Sequence, residues 1–486
     1  MRVLALALAL LALASCNRGS SSTAIDRLQP CKMDQGPADA YCGKLNVWEN
    51  RQTKQGRKID LKIVVMPALR RDPKPDPIFF FAGGPGQGAA KIAGQLGTMF
   101  RRLQNDRDLV MIDQRGTGDS HPLNCDFEQK GHEKDDLAEP APGAIMDRFR
   151  QCLAGYDADP RQYTTPVAMD DINEVRSYLG YGEINLWGGS YGTRAALVYL
   201  RQHESTVRSV VIDGVAPPDM RLPLYMARDS QRSLDLLLTD CEKDRACAAK
   251  FPGLRQTIQK VLARADAKAT VHVVHPRTGQ KFTIPLSAGA IRSVIFSTLY
   301  APSVASLLPR LLNDAAEGDF QGLMAMASIG EGGGGSMSQG MFLSVACAED
   351  MPKISQADIE RESAGTFFGK TMFETRMKAC EFWPTGEIKA DYYQPVVSSK
   401  PVLILSGAAD PVTPPAWGEH VRRHLKNSRH LVAPFAGHGV SSLGCMPKLM
   451  AKFLNDGSAN GLDDACLAKQ RRPPFFVNSS GPEASQ

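Results

Sequence analysis

The sequence predicts an α/β fold in which a mostly parallel central sheet is flanked by helices. Apolar runs of four or five residues recur along the chain, and most are followed by a turn rich in glycine or polar residues. One run, Ile184 to Trp187, leads through a glycine turn into the helix-forming stretch Thr193 to Leu200. Such strand, turn and helix units are typical of parallel sheets. The 486 residues, 43% of them hydrophobic, suffice for one extended core and an inserted unit.

The glycine turn has the sequence Gly188-Gly189-Ser190-Tyr191-Gly192. A serine on such a turn is held in a strained backbone conformation with its hydroxyl exposed, and the glycines avoid collisions with the neighbouring strand and helix. The pattern G-x-S-x-G occurs once in the chain, so we expect Ser190 to be a nucleophile. The alternative is a glycine-rich loop that contains a serine by chance. The strand and helix on either side favour the nucleophile.

An acid and a histidine follow this serine in the order that such a catalytic triad requires. The apolar run Pro401 to Leu405 predicts a buried strand, and Asp410 lies in the loop that leaves it. A second strand, His430 to Phe435, leads to His438 between two glycines. We expect Asp410 to fix the tautomer of His438 and to stabilise its charged form. Either residue alone could be an ordinary loop residue, but three matches in order favour the triad.

The apolar run Ile78 to Phe81 is followed by a glycine turn, residues 82–86, that can supply backbone donors for an oxyanion. We assign one donor to the amide of Gly84 and the other to the amide of Tyr191, which follows the nucleophile. A phosphate-binding loop is the alternative for these glycines, but the chain has no G-x-x-x-x-G-K-S sequence. The polar turn at residues 113–120 could brace the oxyanion loop.

Several motifs together carry a family resemblance: FAGGPG at 81–86, DQRGTGDS at 113–120, GGSYG at 188–192, IDGVAPPD at 212–219, SGAADPVTPP at 406–415 and AGHG at 436–439. The chain resembles the prolyl and tripeptidyl aminopeptidase family of α/β-hydrolases, and its segment CGKLNVWEN at 42–50 resembles the secreted tripeptidyl aminopeptidase branch. The likeness runs from about Cys42 to Cys466. The chain departs from the family at Ala82, where a histidine is usual, and at Trp48, where that branch often has proline.

The resemblance implies an α/β-hydrolase fold and hydrolysis of short peptides from a free amino terminus through an acyl-enzyme. It also implies that no cofactor is required. The same fold and motifs serve carboxylic-ester hydrolases, which are the alternative. A surface binding protein on the same scaffold is a third possibility, although such a protein usually lacks a triad residue.

Ser190 and Asp410 are 220 residues apart, more than the rest of the core needs, so we expect a largely helical cap between them. One strand-like piece, Thr270 to His275, could pair with Lys281 to Pro285. The predicted regions are a lipoprotein signal peptide at 1–15, a tether at 16–45, the first core part at 46–216, the cap at 217–396, the second core part at 397–470 and a polar tail at 471–486.

An aminopeptidase has to bind the substrate ammonium, and a buried ammonium needs carboxylate partners. The candidates in the cap are Glu349 and Asp350 after Cys347, and Glu381 with Trp383 after Cys380. A bridge between the two cysteines would bring these side chains together, and in relatives the segment like CAED lies beside the substrate. Glu349 is the first choice. A solvated acidic patch is the alternative for each carboxylate.

The amino terminus predicts export and lipid attachment. Met1-Arg2 is followed by an apolar segment, and Leu13-Ala14-Ser15-Cys16 matches the bacterial lipobox, in which Cys16 is lipidated. We therefore expect an enzyme attached to a membrane surface of the cell envelope. Asn17 favours the outer membrane if the source has two membranes. An ordinary signal peptide, with Cys16 incidental, is the alternative.

The ten other cysteines are an even number in an oxidising compartment, which predicts disulfides. Counting leaves the connectivity open. Proximity in sequence suggests five pairs: Cys31 with Cys42, Cys125 with Cys152, Cys241 with Cys247, Cys347 with Cys380, and Cys445 with Cys466.

The composition argues against several kinds of partner. The 57 basic and 52 acidic residues give a net charge of +5, and the basic residues are scattered, so nucleic acid is not an expected partner. The chain has no H-E-x-x-H motif, and we expect no metal. Beyond the amino terminus no apolar run is long enough to span a bilayer. Short peptides are the expected partners, and the sequence leaves the oligomeric state open.

Overall fold

The computed structural model describes residues 25–33, 39–125, 143–276, 278–332 and 337–482. The predicted signal peptide and Cys16 lie outside the described residues.

Eleven strands occur in the described part of the chain, nine of them in one sheet. They are β1 Gln29–Cys31, β2 Ala40–Trp48, β3 Lys58–Met66, β4 Ile78–Phe81, β5 Leu109–Ile112, β6 Ile184–Gly189, β7 Val207–Asp213, β8 Thr270–Val274, β9 Lys281–Pro285, β10 Val402–Gly407 and β11 Ser428–Ala433.

The large sheet has the order β1-β2-β3-β5-β4-β6-β7-β10-β11. The six strands from β5 to β11 in this order are mutually parallel, and β1, β2 and β3 join them through antiparallel pairs. The predicted mostly parallel sheet is therefore confirmed. Because the carboxyl ends of parallel strands meet at one edge, the loops after β4, β6, β7, β10 and β11 lie close together.

Seventeen α-helices lie in the same described ranges. They are α1 Ala93–Met99, α2 Arg101–Gln104, α3 Ala144–Ala154, α4 Thr165–Tyr178, α5 Tyr191–His203, α6 Met226–Lys243, α7 Arg245–Lys250, α8 Leu254–Asp266, α9 Ala288–Leu299, α10 Pro302–Ala305, α11 Leu308–Glu317, α12 Gln321–Gly332, α13 Gln339–Val345, α14 Gln356–Ser363, α15 Thr371–Cys380, α16 Pro415–Arg422 and α17 Met446–Asp456. Single 3₁₀ turns lie at Ile25–Arg27, Pro160–Gln162, Glu204–Thr206, Met351–Lys353, Ala390–Tyr393 and Ala465–Lys469, and a π-helical turn at Ala346–Asp350.

Both faces of the sheet are covered by helices. In β4, Phe79 and Phe81 pack with α4, α5 and α16, whereas Ile78 and Phe80 pack with α1, α2 and α17. This alternation follows from the two-residue period of a strand, and all four side chains are buried because both faces carry helices. None of the helices in the described residues is long and apolar enough to cross a membrane.

The helices between β7 and β10 form a cap with its own apolar core, to which α6, α8, α9 and α11 contribute. The predicted pairing of its two strands is confirmed, since β8 and β9 form an antiparallel hairpin. The segment predicted to be a polar tail also joins this core. Its residues Phe475 and Val477 are buried against the cap.

All five disulfides suggested by proximity in sequence are present, and they close loops of 6 to 33 residues. Five such bridges are typical of an exported protein, because disulfides persist in oxidising compartments.

Candidate active site

Ser190 lies on the sharp turn between β6 and α5, as predicted. Its backbone angles, φ 57° and ψ −126°, are unusual for a residue with a side chain. The turn needs its glycines: a Cβ on Gly188 would lie 2.2 Å from the carbonyl oxygen of Gly192, and a Cβ on Gly192 would lie 2.0 Å from that of Phe81. The backbone amide of Ser190 donates to the carbonyl of Asp213, 2.9 Å away, which ties the turn to β7.

His438 and Asp410 form a hydrogen-bonded pair at the carboxyl edge of the sheet. The Nδ1 atom of His438 is 2.8 Å from Oδ2 of Asp410. Asp410 is fully buried, and it also accepts from the amides of Val412 and Thr413 and from the Thr413 hydroxyl, at 2.8 to 2.9 Å. Burial alone would raise the pKa of Asp410, but the charge and hydrogen bond of His438 and these amides hold it below its usual value.

The pKa of His438 is raised above its ordinary value. Burial acts to lower this pKa, but the Asp410 carboxylate outweighs that effect by charge and hydrogen bonding, and the charge of Asp213 adds to it. Ser190 and His438 line one cavity of about 330 Å³, together with Gly83 and Trp187. The structure therefore brings the three residues of the predicted triad to one site.

The cap contacts the loop that carries His438. The backbone amide of His438 donates to the carbonyl of Tyr300, 2.9 Å away, and the two rings meet edge to face with their centres 5.1 Å apart. A Cβ on Gly437 would lie 2.1 Å from the same carbonyl oxygen, so this close approach requires glycine. The cap thus helps to fix the position of the imidazole.

The glycine loop after β4 lies against the serine. Gly83 is the closer of the two glycines, since a Cβ there would be 3.3 Å from Cβ of Ser190. Gly84 instead lines an adjoining, larger cavity under the cap. Tyr191 is the first residue of α5, where backbone amides have no partner within the helix. The amides of Tyr191 and of the pair Gly83 and Gly84 are the candidate oxyanion donors.

The polar turn after β5 contacts the oxyanion loop through Asp113. This buried carboxylate accepts from the amides of Lys91 and Asp119 at 3.1 and 2.8 Å. A Cβ on Gly88 would lie 2.5 Å from Asp113 Oδ1, so the glycine permits the close approach. Burial raises the pKa of Asp113 to about 6. The expected bracing of the glycine loop agrees with these contacts.

Two family models match the sequence of this chain. A model described as alpha/beta hydrolase fold matches residues 76–246, and a model described as TAP-like protein matches residues 365–466. Together the two matches span more than half of the chain, and each contains part of the triad. The chain belongs to the α/β-hydrolase family.

Curated relatives of this α/β-hydrolase include the serine protease Hip1 of Mycobacterium tuberculosis, which is 24% identical over 81% of this chain and 80% of the relative. The tripeptidyl aminopeptidase of Streptomyces coelicolor is 24% identical over 88% of this chain and 83% of its own length. Among solved structures, the proline iminopeptidase of Mycobacterium smegmatis covers 85% of this chain and 98% of its own, with 15% identity and a TM-score of 0.44. The chain is a serine hydrolase whose curated relatives include a serine protease and aminopeptidases.

Asp213 is a further site residue of this α/β-hydrolase, and sequence reasoning gave it no role. It ends β7, is buried, and lines the cavity with Ser190 and His438. Its carboxylate accepts from the amides of Val440 and Ser441 and from the Ser441 hydroxyl, at 2.6 to 3.0 Å. Burial raises its pKa, although these bonds oppose the rise. The sequence signal that could have indicated this role is the position of Asp213 at the carboxyl end of an apolar run.

The carboxylates expected to bind an ammonium are already paired. Glu349 and Asp350 lie in the π-helical turn and are fully buried. Both Nη atoms of Arg194 lie 3.0 Å from the two Asp350 oxygens, and Nη1 lies 3.5 Å from Glu349. Thr165 donates twice to Glu349, at 2.6 and 2.9 Å, and the Tyr392 hydroxyl donates once. Neither carboxylate lines the two cavities beside Ser190.

Both side chains therefore pair with Arg194 inside the protein, and the binding of a substrate ammonium by Glu349 and Asp350 stays a prediction. Burial raises the pKa of both carboxyl groups, and the Arg194 guanidinium opposes that rise. Glu381 and Trp383, the other two residues of the expected cluster, differ in exposure. Although the bridge Cys347–Cys380 is present, Glu381 is exposed, while Trp383 is buried and donates to the Ser344 hydroxyl at 3.0 Å.

No metal centre is evident in the ranges that the structure describes. Within them, no group of three or more histidine, cysteine, aspartate or glutamate side chains is arranged to hold a metal ion.

Proposed function

We propose that this α/β-hydrolase is an exported serine exopeptidase that cleaves short peptides from a free amino terminus. The observation that carries the proposal is the shared cavity of Ser190 and His438, with Asp410 bonded to Nδ1 of the imidazole. The names of the relatives from Mycobacterium and Streptomyces, a serine protease and a tripeptidyl aminopeptidase, support peptides as the substrate class.

In the proposed mechanism, Oγ of Ser190 forms a bond to the scissile carbonyl carbon while Nε2 of His438 takes the hydroxyl proton. Asp410 holds Nδ1 of His438, so Nε2 is the nitrogen left to take the proton. The carbonyl oxygen becomes an oxyanion and accepts from the amide of Tyr191 and from that of Gly83 or Gly84. The intermediate collapses when the carbon–nitrogen bond breaks, and His438 returns its proton to the leaving amine. Water then cleaves the acyl-enzyme by the same proton transfers.

The test of this function compares a tripeptide anilide with its N-acetylated form. An exopeptidase that needs the free ammonium should hydrolyse the acetylated compound at least tenfold more slowly, because the group that positions the peptide is lost. The variant Ser190→Ala should have no measurable turnover on either compound while its thermal unfolding stays within a few degrees of wild type. Turnover by Ser190→Ala would overturn the nucleophile assignment. Equal rates on both compounds would overturn the exopeptidase assignment.

Carboxylic-ester hydrolysis is the second candidate function. It is favoured by the larger cavity, where several aromatic side chains and no aspartate or glutamate are among the described lining residues. Hydrolysis of a p-nitrophenyl ester without hydrolysis of any peptide anilide would support this candidate over the first.

We also propose that Cys16 carries the lipid anchor that the lipobox predicts. The substitution Cys16→Ser should move the protein from the membrane fraction to the aqueous fraction of expressing cells, because the acyl chains are lost. Activity per molecule should be unchanged. A membrane-bound Cys16→Ser variant would contradict the anchor.

A further inference from the structure

A methionine of the cap lies on the glycine loop beside the proposed nucleophile. A Cβ on Gly84 would lie 2.9 Å from Sδ of Met337, and a Cβ on Gly86 would lie 3.2 Å from the same atom. Gly84 follows Gly83, whose own Cβ would be 3.3 Å from Cβ of Ser190. The Met337 side chain therefore contacts the neighbour of the glycine that lies against the serine.

The position of Met337 is fixed by the residue that follows it. The backbone amide of Ser338 donates to the carbonyl of Gly86 at 3.0 Å, and the Ser338 hydroxyl donates to Oδ1 of Asn124 at 2.6 Å. A Cβ on Gly86 would lie 2.7 Å from the carbonyl oxygen of Ser338, so this close approach requires glycine. Ser338 is buried, whereas Met337 is 40% exposed. The Met337 side chain is thus held at the glycine loop with part of its surface open to a ligand.

Two cavities adjoin at the glycine pair, and their walls come from different parts of the protein. The larger, of about 840 Å³, is lined by Gly84 and Met337 and mainly by residues of the cap. The smaller, of about 330 Å³, is lined by Gly83, Ser190 and His438, and its described wall residues all belong to the hydrolase core. An exopeptidase limits the length of the amino-terminal part of its substrate, so we assign that part to the cavity that the cap lines.

A peptide bound in this way has to pass Met337. Its scissile carbonyl lies at Ser190, with the oxygen at the candidate donors of the glycine pair. The residue that carries this carbonyl then extends past Gly84 into the larger cavity, where Met337 lies on the glycine loop. A methionine side chain is unbranched and polarisable, so it packs against apolar groups of different shapes. A lysine ammonium beside it would lose hydration without gaining a partner from the thioether.

We propose that Met337 contacts the side chain of the substrate residue whose carbonyl is attacked, and that this contact makes the enzyme prefer an apolar side chain there. The inference rests on the proposed peptidase function and names a residue that determines its substrate class. The rest of the larger cavity agrees with this preference. Phe296, Tyr300 and Phe342 are among its wall residues, and its two arginines would not stabilise a lysine side chain.

The test uses full-length protein and tripeptide anilides that differ only in the residue beside the anilide, which is leucine, lysine or alanine. The values of kcat/KM are measured for wild type, Met337→Glu and the control Met99→Glu. Met99 is 44% exposed and lines the smaller cavity, so the control places the same charge in the other cavity. Because the anilide is the same in all compounds, an effect of the control on that group cancels in the ratios.

Wild type should have a kcat/KM at least tenfold higher for the leucine compound than for the lysine or alanine compound. Met337→Glu should change the ratio of lysine to leucine at least tenfold in favour of lysine, because the new carboxylate pairs with the ammonium. Met99→Glu should leave that ratio within about threefold of wild type. Absence of the wild-type preference, an unchanged ratio in folded Met337→Glu, or the same shift in Met99→Glu would overturn the proposal.

If Met337→Glu does not fold by its thermal melt, Met337→Ala takes its place. Loss of the thioether should lower the ratio of leucine to alanine at least threefold, because the leucine side chain loses an apolar contact that the alanine compound does not make. An unchanged or higher ratio would overturn the proposal. Failure of wild type to cleave any of the three anilides would instead count against the proposed peptidase function.

Discussion

At the scale of single residues, the main feature is that His438 is fixed from several sides. Asp410 bonds Nδ1 of its ring, and the carbonyl of Tyr300 accepts from its backbone amide. Asp213 accepts from the amides of Val440 and Ser441, which follow His438 closely in the same loop. Three separate segments of the chain therefore determine where the imidazole lies. A ring held in this way needs little reorganisation when it takes the proton from Ser190, which lowers the barrier to attack.

The substitution Asp410→Asn should change both the rate and its pH dependence. We expect kcat to fall roughly 10³- to 10⁴-fold, because the imidazole loses its orienting carboxylate and the stabilisation of its charged form. The pKa of His438 is raised in the wild type mainly by Asp410, so wild-type activity should be lost as the pH falls through a value above the ordinary histidine pKa. Without that charge the acidic limb should move to lower pH. The measurement is kcat/KM against pH.

A matched control for this prediction is Asp170→Asn. Asp170 also contacts a histidine, with Oδ1 3.0 Å from Nε2 of His203, but this pair lies outside the proposed site. Its pH profile should match that of wild type. An acidic limb that stays in place in Asp410→Asn would show that Asp410 does not set the pKa of the catalytic histidine.

At the scale of elements, the strands and turns of the site were predictable because their signals are local. An apolar run followed by a glycine turn predicts a strand end, and parallel strands bring such ends to one edge, which is why Ser190, Asp410 and His438 could be found from the sequence. The five disulfides were also predictable, since each partner is the nearest cysteine along the chain. These inferences need no knowledge of contacts between distant segments.

The pairing of Glu349 and Asp350 with Arg194 shows the limit of local signals. Asp350 and Arg194 are 156 residues apart, and the sequence around each residue does not indicate that the two side chains form a pair. The sequence showed two acidic residues close after a cysteine, but a buried arginine from α5 pairs with both. A buried ion pair of this kind is visible only when the packing of the cap on α5 is known. The role of Asp213 was not predicted for the same reason, because its hydrogen-bond partners lie more than 200 residues further along the chain.

At the scale of the whole molecule, the carboxyl-terminal segment connects the two parts of the protein a further time. The chain leaves the hydrolase core after α17 and then buries Phe475 and Val477 in the core of the cap. The backbone amide of Phe476 donates to the carbonyl of Ser306 in the cap at 3.1 Å. The cap carries Tyr300, whose carbonyl accepts from the amide of His438, so anything that loosens the cap should also affect the site. The apolar residues Phe475 and Val477 were the sequence signal for the contact between this segment and the cap.

The substitution Phe475→Ala tests that role of the segment. Phe475 is 3% exposed, and removing a buried phenyl ring should lower the free energy of unfolding by about 3 to 5 kcal/mol. The neighbouring Phe476→Ala is the matched control, because Phe476 is only partly buried and should cost less. Both are measured by chemical denaturation, with kcat/KM on one peptide in parallel. If Phe475→Ala unfolds at the same denaturant concentration as Phe476→Ala, the segment does not stabilise the cap. A loss of stability with a higher KM would show that the tail helps to hold the substrate cavity in place.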